Sequence, residues 1–136
     1  MEQNYQISYE APDPVVYNEL RIEGNLSGKS LEAATIGLKH SLFVVCLYDE
    51  DTLIGMGRVI GDGGAFFQVC DIVVKPAYQG KGLGKKIMRE IMDYLEHHTY
   101  EGSYVSLIAD DPANHLYKQF GFEYSYPRSH GMFKRY

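Results

Sequence analysis

Between Leu83 and Leu95 a large apolar side chain recurs at every fourth position, Leu83, Ile87, Ile91 and Leu95, and Met88 and Met92 widen the stripe. That period gives an α-helix one apolar face. Upstream the pattern changes. SLFVVCLY, TLIGMGRVI and AFFQVCDIVV are apolar runs of strand length, separated by Asp49-Glu50-Asp51 and by Gly61-Asp62-Gly63-Gly64. They predict a three-stranded antiparallel meander over residues 41–74. Residues 5–9 alternate and read as a first strand. Asp13-Pro14 supplies a cap and a first-turn proline for a helix over about 15–22, and Ser30 caps a second helix to about His40. Beyond the long helix, YVSLIA (104–109) predicts a buried strand and Pro112 opens a helix to about Gln119. Gly121 ends it, and FEYSY and GMFKRY predict two closing strands. The order β-α-α-β-β-β-α-β-α-β-β is an α+β fold. We expect one domain over residues 1–136, with a mixed, mostly antiparallel sheet of about seven strands and about four helices.

Composition narrows the function classes. At 45% hydrophobic and 23% charged the chain has the balance of a globular protein, and its net charge of −5 argues against nucleic acid and anionic membranes as partners. It has no apolar run long enough to span a bilayer, and MEQNYQISYE lacks the basic-then-apolar order of a signal peptide, so a cytoplasmic location is expected. Cys46 and Cys70 sit inside apolar runs and read as reduced, buried thiols. His97-His98 ends a helical pattern, where a cation suits the helix dipole, so no metal site is expected there.

One short stretch resists an explanation by packing alone. In KPAYQGKGLGKKIM, Gly80, Gly82 and Gly84 alternate directly before the long helix. Glycine disfavours a helix by about 1 kcal/mol relative to alanine, so three at its entrance suggest that the backbone itself meets a ligand. The first amides of a helix lack intrahelical acceptors and carry a partial positive charge, and flanking glycines let a bulky anion approach them. The P-loop spacing is absent, because Lys85-Lys86 follow without a hydroxyl residue. The dinucleotide fingerprint fails too, since the third residue after Gly82 is Lys85.

The pattern that fits is Gln79-Gly80-Lys81-Gly82-Leu83-Gly84, read as Q/R-x-x-G-x-G/A. With the strand DIVVKP before it and LYKQFGF after it, the chain resembles the GNAT superfamily of acyl-CoA-dependent N-acyltransferases over nearly its full length. The resemblance implies acetyl-CoA as donor, with the amides from Gly80 to Lys85 holding its pyrophosphate, Gln79 opening the turn, and Lys81 or Lys85 adding charge. It implies that main-chain groups of Ile72, Val73 and Val74 pair with the pantetheine arm where two strands splay apart. Tyr117, in LYKQFGF, matches the tyrosine that gives a proton to the departing thiolate. The family pattern has an asparagine seven residues before this tyrosine. Here that position is Asp110, and Asn114 is the candidate replacement.

Acetyl transfer to an amine also needs oxyanion support, for which an amide near Ile72 is placed, and sometimes a base. Asp71 is the first candidate base, with Asp62 and Glu123 behind it. For the acceptor, the resemblance points to 23–30, the hairpin from Arg58 to Phe67, and 124–132. Arg58, Phe67 and Asp71 are the residues assigned to substrate, with Phe66, Tyr126, Arg128 and His130 nearby. Arg58 lies inside an apolar strand and needs an anionic partner, Asp71 or a substrate carboxylate. The expected acceptor is a primary amine of a small molecule or peptide, and the protein is expected to be a monomer or homodimer. A non-catalytic CoA-sensing module stays open as the alternative.

Overall fold

The computed structural model describes residues 4–136, so the part of the expected 1–136 domain at Met1–Gln3 lies outside the described residues. Helix α1 (Pro14–Glu23) starts where Asp13 accepts a hydrogen bond from the Val15 amide at 2.8 Å, with proline in the first turn. Helix α2 (Leu31–Lys39) starts where the Ser30 hydroxyl accepts from the Ala33 amide at 3.1 Å. Both pack on one face of a sheet whose strands β1 (Gln6–Ser8), β2 (Phe43–Asp49), β3 (Thr52–Gly61) and β4 (Phe66–Val74) pair antiparallel in chain order. On that face Tyr17, Leu20, Ala34 and Leu38 pack against Val44, Cys46, Met56 and Val73.

The opposite face is covered by α3 (Leu83–His98), whose stripe Leu83, Ile87, Met88, Ile91 and Leu95 is buried against Val45, Ile54, Val59, Phe67 and Val69. Helix and sheet approach closely at Gly57, where a Cβ would lie 2.7 Å from Ile72 and Ile87 and 2.8 Å from Ile91. Two layers of helices therefore sandwich one sheet, and β3 is buried on both faces. His97 and His98 lie in the last turn of α3, each donating Nδ1–H to the carbonyl four residues back, at 2.8 and 2.7 Å.

Strand β5 (Tyr104–Ser106) joins β4 in parallel and makes the sheet mixed, as expected. A short 3-10 turn over Pro76–Tyr78 precedes α3, and α4 (Asn114–Gln119) follows β5. The expected count of about seven strands needs correction. The sheet has five among the described residues, and FEYSY and GMFKRY are not strands. Alternation makes a strand only where a neighbour offers a ladder, and β5 pairs over three residues only. The chain instead turns at Ser125–Ser129, closed by a main-chain hydrogen bond of 3.0 Å around Pro127, which has no amide to donate.

Candidate active site

Two irregularities in β4 build the site. In the ladder, Arg58 faces Cys70 and Met56 faces Val73, so Gly57 alone opposes both Asp71 and Ile72. This is a β-bulge, and Asp71 takes it up with a φ of 56°. Phe67 and Val69 point towards α3, and strict alternation would send Asp71 after them into the apolar core. The bulge turns it instead towards α1, where Tyr17 and Arg21 stand one helical turn apart.

There the Asp71 carboxylate accepts three side-chain hydrogen bonds: from Tyr17 at 2.7 Å, from Arg58 Nε at 2.8 Å, and from Arg21 Nη1. Arg58 also donates through Nη1 to the Gly37 carbonyl at 2.9 Å and Ser41 Oγ at 2.8 Å, and Arg21 Nε donates to the Ser27 carbonyl at 2.9 Å. The arginine side chains are 9% and 10% exposed and Asp71 5%. Burial, with the Asp71 charge adding, pushes the Tyr17 phenol up to about 12, so it stays a donor. The expected Arg58–Asp71 pair is present. Asp71 as general base is not retained: both its oxygens are committed to buried donors, two of them cations.

The second irregularity is a divergence. β4 and β5 are paired from Phe66–Tyr104 to Gln68–Ser106, and beyond that the strands separate. A cavity of about 520 Å³ opens there, lined by Val69, Ile72 and Asp71 from β4, Arg21 and Arg58 beneath, and Leu107, Asp110 and Tyr117 on the other wall. Tyr117 is 8% exposed, and its hydroxyl has no hydrogen bond among the described residues. Burial first, and then the charge of Asp110, raises its pKa above the ordinary phenol value.

The glycine turn lies between β4 and α3. Gly80 and Gly82 both have φ of 79°, and a Cβ on either would meet nothing within 4 Å. Glycine is needed there for the left-handed turn, with open space in front of it. Gly84 differs: it has no positive φ, and its Cβ would lie 3.4 Å from Leu116, an ordinary contact between α3 and α4. No side chain caps α3, and its first turn holds no acidic residue, while Lys81, Lys85 and Lys86 crowd the entrance. Lysines oppose the helix dipole there, and an anion resolves that conflict. Gln79 donates Nε2–H to the Val74 carbonyl at 2.9 Å, tying the turn to β4.

Other expected residues fall elsewhere. Phe67 is 2% exposed in the core beneath α3, because it shares the inward phase of Val69, and it does not line the cavity. Phe66 is exposed beside Tyr104. Asp62 accepts from the amides of Gly64, Ala65 and Phe66, and the Gly64 bond leads in lowering its pKa; it holds a turn. Glu123, Tyr126 and Arg128 line a separate groove against Leu95 and Val105. Asn114 donates to the Tyr124 hydroxyl at 2.6 Å and leaves its Oδ1 buried without a partner. Lys29, in the expected segment 23–30, lines the cavity, and Tyr17, Arg21 and Cys70 line it without having been expected to. Arg21, four residues after Tyr17 on the apolar face of α1, was the available signal.

The model of the acetyltransferase (GNAT) family matches residues 5–122. The chain belongs to that family. A Staphylococcus aureus protein of unknown function, SA2161, described as a probable acetyltransferase, is 50% identical, with a TM-score of 0.94 over 98% of this chain and all of the other. The uncharacterized N-acetyltransferase ycf52 of Porphyra purpurea is 31% identical over 98 residues, 69% of this chain and 55% of that protein. Histone acetyltransferase TAP1 of Glycine max is 28% identical over 116 residues, 77% of this chain and 49% of that one. The chain thus spans about half the length of the curated relatives it matches. Among the described residues, no helix is long and apolar enough to cross a membrane.

Proposed function

We propose that this GNAT chain transfers an acetyl group from acetyl-CoA to a primary amine by direct attack, with Tyr117 as the general acid. The observation that carries this reading is the Tyr117 side chain: buried except at the cavity where β4 and β5 part, with its phenol pKa raised and its hydroxyl without a hydrogen bond among the described residues. The glycine turn fits the donor's pyrophosphate, since Gly80 and Gly82 leave open space before the uncapped amides of α3 and Lys81 and Lys85 add charge.

When bound, acetyl-CoA supplies an acyl carbon activated by sulfur. Main-chain groups of Ile72, Val73 and Val74 align the pantetheine arm, although the Val74 carbonyl already accepts from Gln79. The Ile72 amide, beside the bulge, supports the carbonyl oxygen as negative charge gathers there. As the new C–N bond forms and the C–S bond breaks, Tyr117 gives its proton to the sulfur, and the amine loses one to water. Leu83 and Gly84 complete the amide row, and the orphaned Asn114 Oδ1 offers an acceptor for a donor amide.

The test is Tyr117→Phe, followed by release of free thiol from acetyl-CoA with a panel of small amines. Turnover should fall at least about a hundredfold, within the range for a lost general acid, while acetyl-CoA affinity changes less than about twofold. Equal losses in turnover and affinity, or no loss of turnover, would remove Tyr117 from the chemistry.

A further inference from the structure

We propose that the acceptor carries an oxyanion, a carboxylate or phosphate, close to its amine, and that Arg21, Arg58 and Lys29 hold it. The inference rests on the transferase reading and gives its cavity a substrate class. Two guanidiniums share one carboxylate at the base of the cavity, and no other ion pair reaches either arginine among the described residues. One buried positive charge is left uncompensated, a state that an arriving anion relieves.

The hydrogen-bonding capacity is uneven in the same way. Arg58 uses Nε and Nη1, and no hydrogen bond reaches its Nη2 among the described residues. Arg21 Nη2 has only Ser27 Oγ at 3.5 Å. Arg58 Nη2 is not among the buried atoms without a partner, so it keeps contact with solvent, and both arginine side chains line the cavity. Guanidinium N–H pairs in such a place suit carboxylate or phosphate oxygens. Lys29 adds a third cation to the lining, with no ion pair among the described residues. Its main chain is gripped at both ends by Asn18, which donates to the Lys29 carbonyl at 2.8 Å and accepts from its amide at 2.9 Å.

The other wall has the opposite sign. Asp110 and Asp111 line the cavity near Tyr117, and the charge of Asp110 is felt by the Tyr117 phenol. A cavity positive at α1 and negative beside the acid is complementary to an amine bearing an oxyanion, its ammonium directed towards Tyr117 before deprotonation. It is a poor match for a lysine-rich peptide, whose extra cations would meet Arg21, Arg58 and Lys29.

The experiment uses the purified chain with saturating acetyl-CoA and matched amines: an amino acid against its methyl ester, an aminoalkyl phosphate against its amino alcohol, and a lysine-rich peptide. At least one acidic amine should exceed its neutral partner in kcat/KM by about tenfold or more. The carboxylate and phosphate arms identify which oxyanion is read. The ester's amine is less basic and more of it is neutral, so the intrinsic bias runs against the expected result. Lys29→Gln, an exposed change that spares the buried cluster, should reduce the acid-to-neutral ratio about threefold to tenfold without altering acetyl-CoA affinity. Neutral amines or the lysine-rich peptide used equally well or better would overturn the inference and leave the transferase standing. If no amine is turned over, thermal stabilisation of the CoA-bound protein by acid against ester decides, and equal stabilisation overturns the inference. Absence of any stabilisation by acetyl-CoA would instead remove the transferase reading itself.

Discussion

Replacing Asp71 with asparagine separates two accounts of this carboxylate. Asparagine keeps the shape and tolerates the φ of 56°, so the backbone at the bulge should survive the change. What is lost is the only counter-charge, among the described residues, of two arginines that are 9% and 10% exposed. Removing one partner of a buried ion pair costs about 3–5 kcal/mol, because the remaining charges stay buried. For 136 residues the unfolding entropy is about 0.29 kcal/mol/K, which converts that loss into a fall in Tm of about 10–17 °C. Calorimetry or circular dichroism of the apo protein reads it directly. Arg58→Gln on top of Asp71→Asn should recover part of the loss, because it removes one of the stranded charges. An Asp71→Asn protein with wild-type Tm, near-zero turnover and a missing acidic limb in its pH–rate profile would restore Asp71 as the base and refute the charge argument.

Two further outcomes follow from other parts of the chain. Gly82→Ala forces a side chain into the left-handed region and should cost about 1–2 kcal/mol of stability together with acetyl-CoA affinity, whereas Gly84→Ala should be neutral or stabilise by up to about 1 kcal/mol; denaturant melts and a binding titration compare them. Stability should hold to about pH 9 and then fall. Burial raises Cys46 from 9.0 to about 12 and Tyr17 from 10.0 to about 12, so above their ordinary values the unfolded chain alone loses these protons. Each unit of separation removes about 1.4 kcal/mol, and Cys46→Ala should flatten the decline that begins near pH 9 in a Tm series.

The helices were legible because their signals are local. Asp13-Pro14, Ser30 and the four-residue stripe from Leu83 each specify an element without reference to the rest of the chain, and the observed bounds differ from the expected ones by a residue or two. The closing strands were not legible, because FEYSY and GMFKRY have strand composition and only the three-residue length of β5 decides that they have no ladder to join. At the site, the glycine turn could be read from its spacing, and Tyr117 was picked out by the resemblance of LYKQFGF to the family motif. Of the cluster around Asp71 only the pairing with Arg58 could be read; the convergence of Tyr17 and Arg21 could not, since it depends on a bulge that reverses which way one residue points. Phe67 was misplaced for a related reason: Phe66 and Phe67 are equivalent in composition, and only the phase of the strand says which one is buried.

That phase has a consequence for what β4 encodes. With Asp71 left out of the count, Phe67, Val69, Ile72 and Val74 fall on one side, and Phe66, Gln68, Cys70 and Val73 on the other, in unbroken alternation. The strand is therefore a regular amphipathic strand into which one extra residue has been inserted, and that residue is the carboxylate on which Tyr17, Arg21 and Arg58 converge. A chain shortened by this single residue would keep every apolar position of β4 on its present face while losing the centre of the charge cluster. Fold and site thus make separable demands on the same nine residues of β4.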